Sequence, residues 1–296
     1  MELSEKVGGI IMKRKGLIWG SCLLIIIAIF GGVVWRQSRR TTVAPRTTKV
    51  TKSAASSASK AKAKPVTQPQ WLKLKHQLKL PILMYHSIST GNQLRVPQAQ
   101  FAQEMAYLKA HHYRTLTTAE AIKALETNSV PQKKVVWITL DDAYKDNLTK
   151  ALPVLKRYDL HATINVITGF THKSNHLSLA EMTRMQRTGH VDFASHTVQH
   201  LNLNELTAAQ QKTELVASKQ WLDQKLNQNT QMLCYPAGRA DATTRKLAKQ
   251  AGYKLALTTQ EGLAQMSQGR YNLERLRITP GMTTATFATL IQVTNS

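Results

Sequence analysis

Two adjacent carboxylates, Asp141 and Asp142, and two histidines four positions apart, His196 and His200, carry the clearest chemistry in this sequence. The acids close the stretch VVWITLDDAY, and consecutive side chains on an extended chain point in different directions. One acid can then hold a cation while the other handles a proton. The competing reading is a pair of solvated acids in a βα turn, with Asp142 capping the helical run that starts near Asp146. In ASHTVQH, a helical turn would place the two imidazoles on one face, the spacing of a two-histidine metal clamp. An exposed helix face is the competing reading there. Asp142 can supply the third ligand, and one carboxylate with two imidazoles leaves positions for water or substrate, as in catalytic zinc sites. A second pair, His172 and His176, lies in the polar stretch THKSNHLS, with no strand before it, and is expected in a loop.

These groups need elements to hold them. Val135 to Thr139 is an unbroken apolar or β-branched run, which reads as a strand buried on both faces that ends at the two acids. Leu80 to Ile88, His161 to Thr168, Val191 to Ser195 and Gln231 to Tyr235 read as further strands. Phe101 to His111, Thr117 to Thr127, Asn147 to Tyr158, Leu179 to Arg187 and Thr207 to Leu226 read as helices, with a kink or late start expected at Pro153 and a stop at Gly189. The alternation of strand and helix predicts parallel β/α architecture.

Together, LDDAY and SHTVQH resemble the first two motifs of the polysaccharide deacetylases, the NodB-homology domain of carbohydrate esterase family 4, from about Leu80 onward. The resemblance implies a distorted (β/α) barrel of about seven strands, with Asp141 as general base and Asp142, His196 and His200 as ligands of a divalent metal. Zinc suits that donor set, as do cobalt and nickel. Leu140 and Ala143 stand where the family usually has Phe and Gly, and Ala143 matters if that position needs a positive φ. LPILMYHSI is similar to the opening of the branch that includes the poly-β-1,6-N-acetylglucosamine deacetylases. In that branch the barrel is circularly permuted, which implies that His86 is the general acid. In LCYPAG the residue after Pro236 is the implied oxyanion donor, through the Ala237 backbone N–H. The motif arginine that orients the base is missing upstream of Pro236, and Arg275, in LERLRI, is the candidate replacement; a surface arginine is the alternative.

The implied activity is hydrolysis of the amide of N-acetyl groups on an N-acetylglucosamine polymer, either exopolysaccharide or peptidoglycan. A glycan-binding module without turnover and an O-acetyl esterase of a wall polymer are the other readings that these residues allow.

Charge and hydropathy divide the chain. Of the net charge of +23, +14 lies in the first 79 residues and +9 in the remainder. Gly16 to Trp35 holds no charge for 20 residues and has Trp19 and Trp35 near its ends, which predicts an uncleaved membrane anchor, with a cleaved signal peptide as the alternative reading. Residues 1–15 are expected in the cytoplasm, 36–70 as a disordered Ser/Thr/Ala/Lys tether, and 71–296 as the deacetylase domain outside a single-pass cell-membrane protein. The basic tether suits anionic wall polymers as partners or simple solvation. Nucleic acid is not expected, because the charge adjoins a membrane span rather than a folded face with aromatics. Cys22 and Cys234 make no disulfide framework, and the apolar run around Cys234 predicts a packed core residue.

Overall fold

The computed structural model describes residues 70–293 and Asn295. The expected cytoplasmic segment, anchor and all but the last residue of the tether fall outside these residues. Among the described residues no helix is long and apolar enough to cross a membrane.

Seven strands form a closed parallel barrel: β1 (Ile82–Tyr85), β2 (Val135–Leu140), β3 (Ala162–Val166), β4 (Val191–Ser195), β5 (Met232–Cys234), β6 (Leu255–Glu261) and β7 (Leu273–Arg277). The first strand in the chain closes the ring, since β1 pairs with β7 on one side and β2 on the other. A two-residue strand, Arg114–Thr115, extends the sheet at the start of β2, and Leu72–Lys73 pairs antiparallel with Ser129–Val130. Among the described residues the seven α-helices are α1 (Gln98–Ala110), α2 (Thr118–Thr127), α3 (Leu152–Tyr158), α4 (Leu179–Gln186), α5 (Ala208–Leu226), α6 (Ala242–Gln250) and α7 (Thr284–Ile291).

Side-chain parity explains how a fully buried strand sorts its residues. In β2, Val135 and Trp137 turn to the barrel interior with Ile82, Met232 and Leu257. Val136, Ile138 and Leu140 turn outward and pack with Phe101 of α1 and Leu155 of α3. Each fully buried Leu, Ile or Phe of these layers stabilises the fold by about 1.5–3 kcal/mol relative to exposure. The one polar atom of Trp137 is satisfied, because its indole N–H donates to Thr163 Oγ1 at 2.8 Å. The same two-residue period carries Thr139, and then Asp141, to the inside.

Helix starts follow from their caps. Thr117, Ser178 and Thr207 each accept from the backbone N–H three residues on, while the side chain at that third position returns the bond. The run after the acids begins as a π-helical turn, Asn147–Ala151, and becomes α-helical only at Leu152. Pro153 thus lies at the junction where the π-helical turn passes into α3.

Candidate active site

The C-terminal ends of the strands bring six inward residues into one ring: His86 after β1, Asp141 after β2, Asn165 in β3, His196 after β4, Cys234 in β5 and Arg275 in β7. At its centre Asp141 meets Arg275 in a bidentate pair, with Nη1 donating to Oδ1 at 2.9 Å and Nη2 to Oδ2 at 2.8 Å. Arg275 is 0% exposed, so it is not a surface arginine. Its Nε donates to Thr258 O at 2.8 Å, and Nη1 also donates to Thr139 Oγ1 at 3.0 Å. Asn165 Nδ2 is a third nitrogen donor to the Asp141 carboxylate, at 2.7 Å from Oδ1. Burial works to raise the Asp141 carboxyl's pKa, but the Arg275 guanidinium outweighs it and holds the group well below the usual carboxylate range.

Cys234 is buried, as its apolar setting predicts, yet its neighbours are polar. Its Sγ lies 3.7 Å from both Asp141 oxygens, and Arg275 Nη2 donates toward it at 3.2 Å. A small side chain two residues before Pro236 leaves room for a guanidinium that arrives from β7. His86 Nε2 stands 3.7 Å from Asp141 Oδ2. Burial lowers the His86 imidazole from its ordinary range, against the pull of the Asp141 and Asp142 charges.

Asp142 leaves the strand and turns the other way. Its φ is +73° and that of Ala143 is +56°, so two successive residues occupy the left-handed region and the adjacent carboxylates diverge. The position usually held by Gly in the resembling family does need a positive φ here. Asp142 Oδ1 faces His196 Nε2 at 3.4 Å and His200 Nε2 at 3.5 Å. His196 Nδ1 lies 2.7 Å from Cys234 O, and a carbonyl only accepts, so Nδ1 carries the proton and Nε2 presents its lone pair. Asp142 Oδ1 is buried with no hydrogen-bond partner. A buried, unpartnered carboxylate oxygen beside two imidazole nitrogens, all three within 4.8 Å of one another, fits a divalent cation. Asp141, His196 and Cys234 also fall within that span. Their donor atoms are already committed to Arg275, Asn165 and the Cys234 carbonyl.

The expected helical turn between His196 and His200 is not formed. The segment is an irregular loop with Thr197 at φ +66° and His200 at φ +58°. Glu214 of α5 holds it, its Oε2 accepting from Val198 N at 2.8 Å and Gln199 N at 2.9 Å. These bonds satisfy donors that a helix would have paired internally.

Ala237 lies exposed in the Pro236–Gly238 turn just past β5, with φ +49°. The close approach behind it requires Gly238, where a Cβ would stand 2.2 Å from Thr259 Oγ1. The His172/His176 stretch is a loop, as expected, but its two histidines differ. His172 is exposed, whereas His176 is buried and stacks on Tyr144 with ring centroids 5.1 Å apart. Lys145 N donates to Asn175 O at 2.9 Å and Leu177 N to Ala143 O at 2.8 Å, so this loop braces the turn that carries Asp142. Asn165, Glu214 and His176 are therefore site residues that the sequence reading misses. Only Asn165 left a trace, as a polar residue inside the apolar strand TINVI.

Comparison with known proteins agrees with this geometry. Residues 128–256 match the family model described as polysaccharide deacetylase. A candidate polysaccharide deacetylase of Bacillus subtilis, YxkH, is 43% identical over 222 residues, covering 75% of this chain and 79% of its own length. A poly-β-1,6-N-acetyl-D-glucosamine N-deacetylase of Staphylococcus epidermidis is 32% identical over 196 residues, covering 62% of this chain and 68% of its own. The solved structure of the Streptococcus pyogenes deacetylase PplD in complex with acetate superposes with a TM-score of 0.71 at 38% identity, covering 74% of this chain and all of that one.

Proposed function

The chain belongs to the polysaccharide deacetylase family, an amide-hydrolysing enzyme family, and from that premise we propose that it is a metal-dependent N-deacetylase of an N-acetylglucosamine-containing polysaccharide. The observation that carries this reading is the pairing of two adjacent acids with separate partners, Asp141 with Arg275 and Asp142 with the two imidazoles. The acetate in the related structure is the product that N-deacetylation releases.

Asp142, His196 and His200 would hold the divalent metal, zinc being the first candidate. The chemistry such an ion supplies when bound is polarisation of the amide carbonyl and a lowered pKa for the attacking water. The rest falls to the chain's own residues. Asp141 Oδ1 accepts from two nitrogens, Asn165 Nδ2 and Arg275 Nη1, whereas Oδ2 accepts from one, Arg275 Nη2, with Cys234 Sγ 3.7 Å from each oxygen, so Oδ2 is the oxygen with room to take the water's proton. Arg275 keeps the carboxylate ionised and fixes its plane. His86 Nε2, 3.7 Å from that oxygen, is placed to carry a proton to the departing amine nitrogen. The Ala237 N–H is the proposed donor to the oxyanion of the tetrahedral intermediate.

In the same reading residues 16–35 anchor the chain in the cell membrane and 36–70 tether an extracellular domain, with the basic tether toward anionic wall polymers. The uncharged 20-residue run and the basic, low-hydrophobicity stretch after it support that placement. Acetate release from partially acetylated chito-oligomers, with and without chelator, tests the reaction. No release, or release that survives chelation, counts against it. Poly-β-1,6-N-acetylglucosamine against peptidoglycan, and N-acetyl against O-acetyl substrates, then assign the polymer and the bond. Protease accessibility of residues 71–296 on intact cells tests the topology.

A further inference from the structure

The loop after β1 folds back so that Arg95 lies beside Ser87, the residue that follows His86. The two form a parallel bridge, with Val96 N donating to Ser87 O at 3.0 Å and Ser87 N to Leu94 O at 3.3 Å. The Arg95 side chain has a prepared path. Its stem crosses Gly91, where a Cβ would stand 2.5 Å from Arg95 Cδ and where φ is +147°. Its tip is tethered by a chain of hydroxyls: Nη1 donates to Ser89 Oγ at 3.4 Å, Ser89 Oγ lies 2.6 Å from Ser87 Oγ, and Ser87 Oγ donates to Asp146 Oδ2 at 2.5 Å. The bridge sets Arg95 at the rim of the barrel's C-terminal end, beside the residue that follows His86.

This arginine is exposed, and among the described residues no carboxylate lies within ion-pair distance of it. Its Nε and Nη2 have no protein partner among those residues, which leaves one edge of the guanidinium open. An arginine held in place but not neutralised is preorganised for a planar or tetrahedral anion, which such an edge grips with two parallel hydrogen bonds.

We propose that Arg95 is a specificity residue of the deacetylase site: its open edge binds a carboxylate or phosphate carried by the glycan next to the sugar that loses its acetyl group. The inference rests on the deacetylase reading and extends it to an anionic rather than a neutral polymer.

The test uses the metal-loaded full chain in detergent, as wild type, Arg95→Gln and Arg95→Lys, with three glycans. These are neutral tri-N-acetylglucosamine, the same trimer carrying a 6-phosphate, and the N-acetylglucosamine–N-acetylmuramic acid disaccharide with its free lactyl carboxylate. Acetate release and calorimetric binding are both measured. Arg95→Gln is expected to lower kcat/KM and affinity at least tenfold on one anionic glycan, while changing the neutral trimer less than twofold. Arg95→Lys, which keeps the charge without the fork, should fall between. Whichever anionic glycan responds identifies the source as carboxylate or phosphate. An equal loss on all three glycans, or no loss on either anionic one, overturns the proposal. If wild type releases acetate from none of them, the deacetylase reading fails, and the calorimetric comparison still decides whether Arg95 binds the anion.

Discussion

Arg275 and Asp141, 134 positions apart, meet in a two-pronged ion pair inside the barrel, where the arginine is fully buried and the acid nearly so. Removing one member leaves the other charged with nothing to neutralise it. Arg275→Met is therefore expected to cost about 3–5 kcal/mol of stability and to abolish acetate release. Adding Asp141→Asn should restore most of that stability in urea unfolding, without restoring activity. A double variant as unstable as Arg275→Met alone would contradict the pairing.

The two acids separate by role. Asp141→Asn keeps the Asp142, His196 and His200 donors intact, so it should retain bound metal while losing turnover. His200→Ala removes a donor, and metal content after dialysis should drop at least tenfold. Equal metal content in the two variants, measured by elemental analysis, would refute the division.

Ala143 occupies a left-handed conformation, φ +56°, that costs a residue with a Cβ about 1–2 kcal/mol. Ala143→Gly relieves that strain but loosens the unfolded chain, so a net gain of up to about 1 kcal/mol is expected. Ala143→Val should lose more than about 2 kcal/mol, since a β-branched side chain is ill suited to this region and the site is 2% exposed. Urea midpoints distinguish the two, and a Val variant as stable as wild type would show that the turn relaxes.

Glu104 sits buried beneath β1, accepting from Tyr85 OH at 2.7 Å and from Gln100 Nε2 at 2.9 Å. Burial carries its pKa from 4.5 up to about 7, although both hydrogen bonds act the other way. Between those values the folded chain holds a proton that the unfolded chain has lost. Its contribution therefore makes stability fall as pH rises from about 4.5 to about 7, by up to about 3 kcal/mol, with no such slope below 4.5. Glu104→Gln removes this dependence. The difference in Tm between wild type and variant should change across that window in favour of the variant, and a constant difference would show that Glu104 does not titrate there.

Much of this arrangement is legible in the chain itself. The run Val135–Leu140 declares a buried strand, and its two-residue period already assigns Trp137, Thr139 and Asp141 to one face. Short-range rules also located the capped helices and anticipated an irregularity at Pro153, where a π-helical turn gives way to α3, because caps and proline act within one turn. The resemblance carried by LDDAY and SHTVQH named the acids and the imidazole pair, and it singled out Arg275 from a departure in the motif near Pro236.

What tertiary structure alone decided is which distant groups face one another. His196 and His200 converge through a loop that Glu214 of α5 pins, and no local spacing in SHTVQH encodes a residue on another helix. Asn165 reaches Asp141 because β3 pairs beside β2 in a particular register, and Arg275 reaches it across the barrel interior. Periodicity and capping are properties of a few neighbouring residues, and so one chain segment suffices to read them. The register of parallel strands and the closure of the ring depend on all seven strands at once, so the partners of Asp141 and Asp142 exist only in the folded barrel.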